Sequence, residues 1–485
     1  MIRESLKRLT RESLIYGLGQ TIGRGLQMIL VPVFTRVFTP AEYGVVDLMT
    51  LVSSIAAFLI VMGTDGALAR FFYEAEDGEA RRTMVTTSAA WRAGLALAVA
   101  AALWASAPLF SQVVLASPDY AKYVRLTALS LPFTVFVFFQ NDVLRVTFQP
   151  VKYIVLNVVN TLLVGGLSIL FVVGWQREVS GVLYARILGD ALTALLGFIL
   201  IRRSLVRRTD SGVLRRMLAY GLPTIPAGIA FWAISYGDRW VLVRFADLAS
   251  VGVYAVAAKI GTVMTLAVSA FHLAWGPFAY AQAREAEAGR LFARVLTLYT
   301  AVASTLALAV GLVAPEVLAV LVPAEYRPAA FPGGLLAFAS VAYGGYMVTG
   351  LGAALALRTD LMAWTSIAAG VVTISLAIAL VGPWGLVGVA AATLAGFTVS
   401  AVALYAASQR VYPIPFRGVR AFVLFGGAVL AYVLAGAAVP AVSAGPATGF
   451  GVGVRALVFL AYAALAFALA RRIPEPAPAA ARSVV

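Results

Sequence analysis

Five basic side chains stand inside apolar stretches: Arg24, Arg92, Arg186, Lys259 and Arg455. An ionisable group in hydrocarbon costs several kcal/mol unless it faces a cavity or a partner, so each needs a physical reason. Arg24 shares a helix face with Gln20 at i−4 and Gln27 at i+3, with no acid one turn away. Such a stripe suits a water-filled cavity that receives an anion; the competing reading is a pair with Asp47 or Asp65 on the next helix. Lys259 is a second candidate for the same cavity, and Tyr236 and Tyr254 would add the hydroxyls and ring faces that suit sugars. Arg92 admits two readings, facing the cavity or snorkelling to the near membrane surface. Arg186 has Asp190 at i+4 for a local ion pair, and Arg455, near a span end, is expected to snorkel. A polar zone follows from Asp142 with Arg145 at i+3, beside Asn157 and Asn160 on the next stretch, to serve as a gate or as interhelical glue. Asp47, Asp65 and Asp238 fall near span ends, where water reaches them. The chemistry implied is reversible binding of a ligand carrying phosphate or carboxylate; a hydrophobic cation would want the opposite sign.

Covalent chemistry finds no support. The chain has one histidine, His272, and no cysteine, which excludes disulfides, thiolate catalysis and a Ser/His/Asp group with a spare base. One histidine without clustered carboxylates makes no metal site. Gly17-Leu18-Gly19 and Gly23-Arg24-Gly25 have the wrong spacing for a dinucleotide loop and no preceding strand, so Gly19 and Gly23 read as a small-residue packing face. Gly252 to Lys259 lacks the residues of a phosphate loop, so no cofactor is expected.

Those side chains need helices that cross a membrane. The 485 residues are 61% hydrophobic and 12% charged, with mean hydropathy +0.91. A soluble chain is normally about a quarter charged, and runs of roughly 20 apolar residues fit a hydrocarbon layer of about 30 Å. The fold class is an all-α polytopic membrane protein with about 14 transmembrane helices. The net charge of +15 would suggest nucleic acid in a soluble protein. Here the cations follow the positive-inside rule: with the N-terminus cytoplasmic, 25 Lys and Arg fall in inside segments and 7 in outside loops. No nucleic-acid partner is expected, and both termini read as cytoplasmic.

The chain also repeats itself. Tyr16-Gly17 answers Tyr220-Gly221, Arg36 and Gly44 answer Arg244 and Gly252, Gly181 answers Gly388, and Arg203 answers Arg410, at offsets of 204 to 208. A duplication of this size in an apolar chain predicts two matching lobes around a central path. Six spans per copy make the copies parallel, related by a pseudo-two-fold axis. The expected units are a six-helix lobe over 1–203, a basic linker over 204–217, a second six-helix lobe over 218–410, two extra helices over 411–472 and a disordered tail over 473–485. Arg202, Arg203, Arg207, Arg208, Arg215 and Arg216 crowd the join. Neither the loop near 66–83 nor that near 202–217 is long enough for a sugar-donor domain, which argues against a membrane glycosyltransferase or polymerase.

The opening run Val31-Pro32-Val33-Phe34-Thr35-Arg36-Val37-Phe38-Thr39-Pro40-Ala41-Glu42-Tyr43-Gly44 resembles the start of bacterial oligosaccharide flippases. These form the polysaccharide-transport branch of the multidrug/oligosaccharidyl-lipid/polysaccharide exporter superfamily. Tyr220-Gly221-Leu222-Pro223, Asp238-Arg239-Trp240, Gly252-Val253-Tyr254 and Ala274-Trp275-Gly276-Pro277-Phe278 are similar to the same family. The resemblance implies alternating access and a polyprenyl-pyrophosphate-linked oligosaccharide as partner, moved across the bacterial inner membrane among membrane lipids and alongside polysaccharide polymerase machinery. It also implies a cationic lumen, for which Arg24 and Lys259 are the matching positions, and coupling to a proton or sodium gradient in parts of the superfamily. An ion-coupled drug or cation antiporter and a peptidoglycan-precursor flippase remain alternatives.

Overall fold

The structure is a computed structural model that describes residues 25, 28–75, 77–283, 285, 287–416, 418–438 and 449–471. Gln20, Arg24, Gln27 and the segment 473–485 lie outside the described residues. In chain order the helices are α1 (Met28–Val37), α2 (Pro40–Val61), α3 (Thr64–Glu74), α4 (Gly78–Ala105), α5 (Ala107–Leu115) and α6 (Ala121–Val146). Then come α7 (Pro150–Ile169), α8 (Glu178–Ile201), α9 (Ser211–Gly221), α10 (Ile225–Phe245), α11 (Leu248–Gln282) and α12 (Ala288–Leu321). The chain continues through α13 (Ala330–Thr349), α14 (Leu351–Leu355), α15 (Thr359–Val411), α16 (Gly418–Ala438) and α17 (Gly449–Arg471).

Among the described residues, eleven helices are long and apolar enough to cross a membrane, or twelve if α9 and α10, bent by 50° to one another, form one span. The 53 residues of α15 would reach about 80 Å if straight, far beyond one hydrocarbon layer. Instead α15 breaks at Gly385, where φ is 52° and ψ is −132°. The break divides α15 into two stretches that are each long enough to cross one layer, and α1 is a further, shorter apolar helix. The architecture is therefore consistent with about fourteen helices.

Within the first lobe, α6 packs on α4 and α8, and α7 packs on α8. In the second, α13 packs on α11, α12 and α15, with α10 against α15. Helices α16 and α17 pack on each other and on α12, at the edge of the second lobe. The lobes meet chiefly through α2 against α11.

The residues at that meeting explain the Thr39-to-Gly44 motif. Thr39 caps α2 in a capping box: its backbone N–H donates to Glu42 Oε2 at 2.9 Å, and its hydroxyl accepts from the Glu42 N–H at 3.4 Å. Pro40 occupies the first helical turn, where a missing N–H costs nothing. In the second copy Asp247 caps α11 by accepting the Ser250 N–H at 2.7 Å. Both caps place a glycine five residues on, and the two glycines face one another. A Cβ on Gly44 would stand 2.2 Å from the Leu248 carbonyl oxygen, and one on Gly252 would stand 1.8 Å from that of Pro40. The backbones touch directly, as in small-residue helix packing within membranes.

The opposite membrane face has its own contact. Gly63 adopts φ +69°, a left-handed turn between α2 and α3 that favours glycine. A Cβ there would lie 2.7 Å from the Gly221 Cα, and one on Gly221 would lie 2.3 Å from the Met62 carbonyl oxygen. Beside this contact the Phe71 and Tyr220 rings meet edge to face at 5.6 Å, with the Arg70 guanidinium 5.2 Å from the Tyr220 ring. The basic join is tied to α4, since the Val206 and Asp210 N–H groups donate to Thr86 and Thr87 hydroxyls, both at 3.0 Å.

Candidate functional site

Three helices of the first lobe build a polar cavity of about 620 Å³. From α6 come Thr134, Phe138, Asn141, Asp142 and Arg145; from α7 come Tyr153, Asn157, Asn160 and Thr161; from α8 come Arg186 and Asp190. Phe58 of α2 and Asp65 of α3 complete one side. From Arg145 back to Thr134 the cavity follows α6 for about 16 Å, reaching from the Gly63 face toward mid-membrane.

Its polar groups are organised rather than loose. The Asn157 amide donates to Asn141 Oδ1 and to the Tyr153 carbonyl, both at 2.8 Å. Asn160 donates to Asp190 Oδ1 at 2.8 Å and to the Thr193 hydroxyl at 3.2 Å, while Thr134 donates to the other Asp190 oxygen. Arg186 lies 3.8 Å from Asp190, the local i,i+4 pair that the spacing predicts. The structure thus brings Asp142, Arg145, Asn157 and Asn160 together and adds Arg186 and Asp190.

Arg92 supports this cavity from behind. It is 1% exposed, so it neither snorkels nor lines the cavity. Its Nε donates to the Thr64 hydroxyl at 2.9 Å and its Nη1 to Asp142 at 2.7 Å, with the Phe139 ring 5.6 Å away. The physical reason is that α3 and α6 both pack on α4 at this level and supply the partners that spare the guanidinium a route to water. Asp142 also accepts from Arg145 at 2.9 Å.

A second polar cluster lies between the lobes. Arg239 of α10 holds Asp238 at 2.8 Å and reaches Asp47 of α2 at 3.5 Å. The Tyr254 hydroxyl donates to Asp238 Oδ2 at 2.8 Å, and the Thr393 hydroxyl donates to the same oxygen at 3.3 Å. Two sequence expectations change here. Arg239 counts as an outside-loop charge and Asp238 as a water-reached end in the sequence reading, yet α10 continues to Phe245 and buries both. Tyr254 does not line a cavity: it is fully buried, its hydroxyl spent on the carboxylate and its ring 5.0 Å from the Arg239 guanidinium. Tyr236 is exposed, with Arg239 5.7 Å from its ring. At the same face the Tyr326 hydroxyl donates to the Phe38 carbonyl at 2.8 Å, and the Tyr43 and Tyr326 rings meet edge to face at 5.9 Å.

Lys259 is half-buried on the wall of a separate pocket of about 380 Å³. That pocket is otherwise apolar, formed by Met28, Val31 and Pro32 of α1, Val256, Ile260 and Val263 of α11, and a row of α12 side chains from Ala309 to Leu321. Arg455 does not snorkel: it is 4% exposed, ion-paired with Glu316 and 3.3 Å from the Leu312 carbonyl, because α17 packs on α12 at that level. His272 is exposed on α11. Among the described residues no three metal-ligating side chains cluster.

Among the described residues these polar groups are engaged with one another in ion pairs and hydrogen bonds. Solved structures share the fold. A lipid II flippase, MurJ, in an inward closed conformation superposes with a TM-score of 0.72 at 11% identity, covering 95% of this chain and 100% of that one. An inward-facing multidrug resistance MATE family transporter of the MOP superfamily gives 0.61 at 17% identity, over 82% of this chain and 97% of that one. A point mutant of the Vibrio cholerae MATE transporter VcmN gives 0.59 at 16% identity, over 83% and 96%. No curated protein matches the sequence significantly. The polysaccharide biosynthesis protein family model matches residues 9–279, more than half of the sequence and the part that holds the polar cavity, both glycine contacts and every member of the Arg239 cluster except Thr393. The chain is a multi-pass membrane protein that belongs to the polysaccharide biosynthesis protein family.

Proposed function

We propose that this protein is a flippase that carries a polyprenyl-pyrophosphate-linked oligosaccharide across the bacterial cytoplasmic membrane by alternating access. One observation carries the reading: two lobes touch backbone to backbone at both membrane faces, and between those levels lies a polar cavity. Phe58 lines that cavity and also abuts Gly228 of the other lobe, so separating the lobes at the Gly63 face would open a path beside it. An apolar pocket with one cation lies elsewhere in the same membrane layer. A ligand with a sugar head, an anionic linker and a hydrocarbon tail matches that division of chemistry.

The positive-inside rule puts the arginine-rich join in the cytoplasm. The Gly63–Gly221 contact is then the cytoplasmic closure and the Gly44–Gly252 contact the outer one. Covalent catalysis has no part in this reading, and the driving force would be a proton or sodium gradient or the downstream consumption of product by polymerase machinery.

The test is genetic. In a strain lacking this gene, lipid-linked oligosaccharide should accumulate on the cytoplasmic leaflet and fall on the outer one. An unchanged distribution contradicts the assignment. Rescue of a strain depleted of its peptidoglycan-precursor flippase would instead favour that substrate, and drug efflux would favour an antiporter.

A further inference from the structure

The first-lobe cavity has a charge pattern that the sequence does not predict. Its carboxylates are Asp65, Asp142 and Asp190; its guanidinium groups are Arg145, Arg186 and, behind Asp142, Arg92. Three negative groups meet three positive ones, and Asp142 and Asp190 already accept from arginine or amide donors. A phosphate entering this space would meet the repulsion of three carboxylates, two of which already hold the arginines. A neutral ligand faces no such cost.

The remaining wall offers what a neutral polyol uses. Asn141 keeps an amide N–H to spare, the side-chain oxygens of Asn157 and Asn160 can still accept although their own N–H groups are taken up within the protein, Thr161 adds a hydroxyl oxygen, and Phe138, nearly half exposed, offers a ring face. The volume of about 620 Å³ falls within the range of small-molecule sites, about 300–1,000 Å³.

We infer that this cavity is a neutral-sugar subsite: it takes uncharged, hydroxyl- and acetamide-bearing sugar residues of the carried head and leaves the anionic linker to cations elsewhere. The inference rests on the flippase reading for its biological ligand, but its test uses a free sugar. Saturation-transfer difference NMR on the purified full-length protein, with N,N′-diacetylchitobiose as probe, should give a signal that millimolar inorganic pyrophosphate does not reduce. Thr161→Trp, which fills the cavity, should cut the signal at least tenfold, and Asn157→Leu, which removes the amide pair, should weaken it severalfold. His272→Gln, exposed on α11 of the other lobe, should leave it intact.

Absence of a signal with the wild-type protein, displacement by pyrophosphate, or undiminished binding by both cavity variants overturns the subsite. If Thr161→Trp does not fold, Asn157→Leu decides. Translocation measured on the same wild-type preparation separates the two ideas. Flipping with no sugar contact at this cavity rejects only the subsite; sugar binding without flipping rejects only the flippase reading.

Discussion

Gly44 and Gly252 stand at equivalent places in the two copies of the repeat and lie against each other's helix starts. Each packs on the carbonyl of the other helix's first residue, Gly44 on Leu248 and Gly252 on Pro40. The duplication is thus also a contact: the repeated glycine meets its own counterpart across the axis between the lobes. Around it the symmetry lapses. Asp238 and Arg239 have no charged counterpart in residues 30–35 of the first copy, and Tyr326 reaches Phe38, whereas its counterpart Tyr120 stacks on Tyr123 within its own lobe.

A methyl group at either glycine must push α2 and α11 apart. Gly44→Ala and Gly252→Ala are each expected to destabilise the lobe contact by about 1–3 kcal/mol. The double variant should cost clearly less than the two together, because the first already separates the helices. Thermal unfolding in detergent reads both quantities, and strict additivity would show that the two glycines do not share one contact.

Removing Arg239 leaves the buried Asp238 and the half-buried Asp47 without their shared cation. Arg239→Leu should therefore cost about 3–5 kcal/mol. Asp47→Asn should cost much less, since Asp238 at 2.8 Å keeps the guanidinium paired. Equal losses in the two variants would contradict the asymmetric cluster.

Arg92 and Asp142 should behave as one unit. Arg92→Leu strands a largely buried carboxylate at the cavity wall, and changing that carboxylate to Asn should recover a large part of the loss. A coupling of about 0.5–3 kcal/mol is expected from the double-mutant cycle. A coupling near zero would place Arg92 outside the support of the cavity.

Asp210 caps α9 at the end of the join by accepting the Gly212 and Val213 N–H groups at 2.7 and 3.0 Å. Those donors hold its carboxyl below the usual carboxylate range. A lowered folded value means that the cap's contribution is present above the ordinary value of about 3.9 and lost as pH falls through the folded value. With no native cysteine to interfere, a spin label at Thr209→Cys should gain mobility only in that acid range. In Asp210→Asn, which keeps a cap but not its titration, the acid transition should disappear; its persistence would assign the transition to another group.

Lys259, set in an apolar pocket, is the described cation best placed to meet the anionic linker. Lys259→Ala should slow translocation of a pyrophosphate-linked lipid at least tenfold with normal membrane abundance, and Lys259→Arg should keep most of the rate. Unaltered flipping by the alanine variant removes Lys259 from the path.

The fold was legible because the length of an apolar run is a local property tied to membrane thickness, and the repeat survives as paired glycines and arginines at a constant offset. The polar zone was legible too, since Asp142, Arg145, Asn157 and Asn160 sit on consecutive spans. Asp190 escaped because it reads as the local partner of Arg186, and only the packing of α8 on α6 and α7 brings it to Asn160 and Thr134. Arg239 escaped for a different reason. A span boundary drawn at residue 238 turns the next residue into a loop charge, and no pattern within α10 announces a carboxylate waiting on α2. The balanced charge of the first-lobe cavity was not legible because carboxylates from three different helices meet the arginines only in space.

The central claim is movement of a lipid-linked oligosaccharide through lobes that open alternately. Its most direct measurement uses proteoliposomes holding a polyprenyl-pyrophosphate-linked oligosaccharide, with outside sugar read by lectin capture over time. The wild-type protein should equilibrate the two leaflets, and Tyr43→Cys/Tyr326→Cys cross-linked by a short bis-maleimide should stop, then recover when a cleavable linker is cut. Leaflets that stay unequal with the uncross-linked protein, or flipping that continues at full rate with the Tyr43 and Tyr326 positions tied together, would contradict the account.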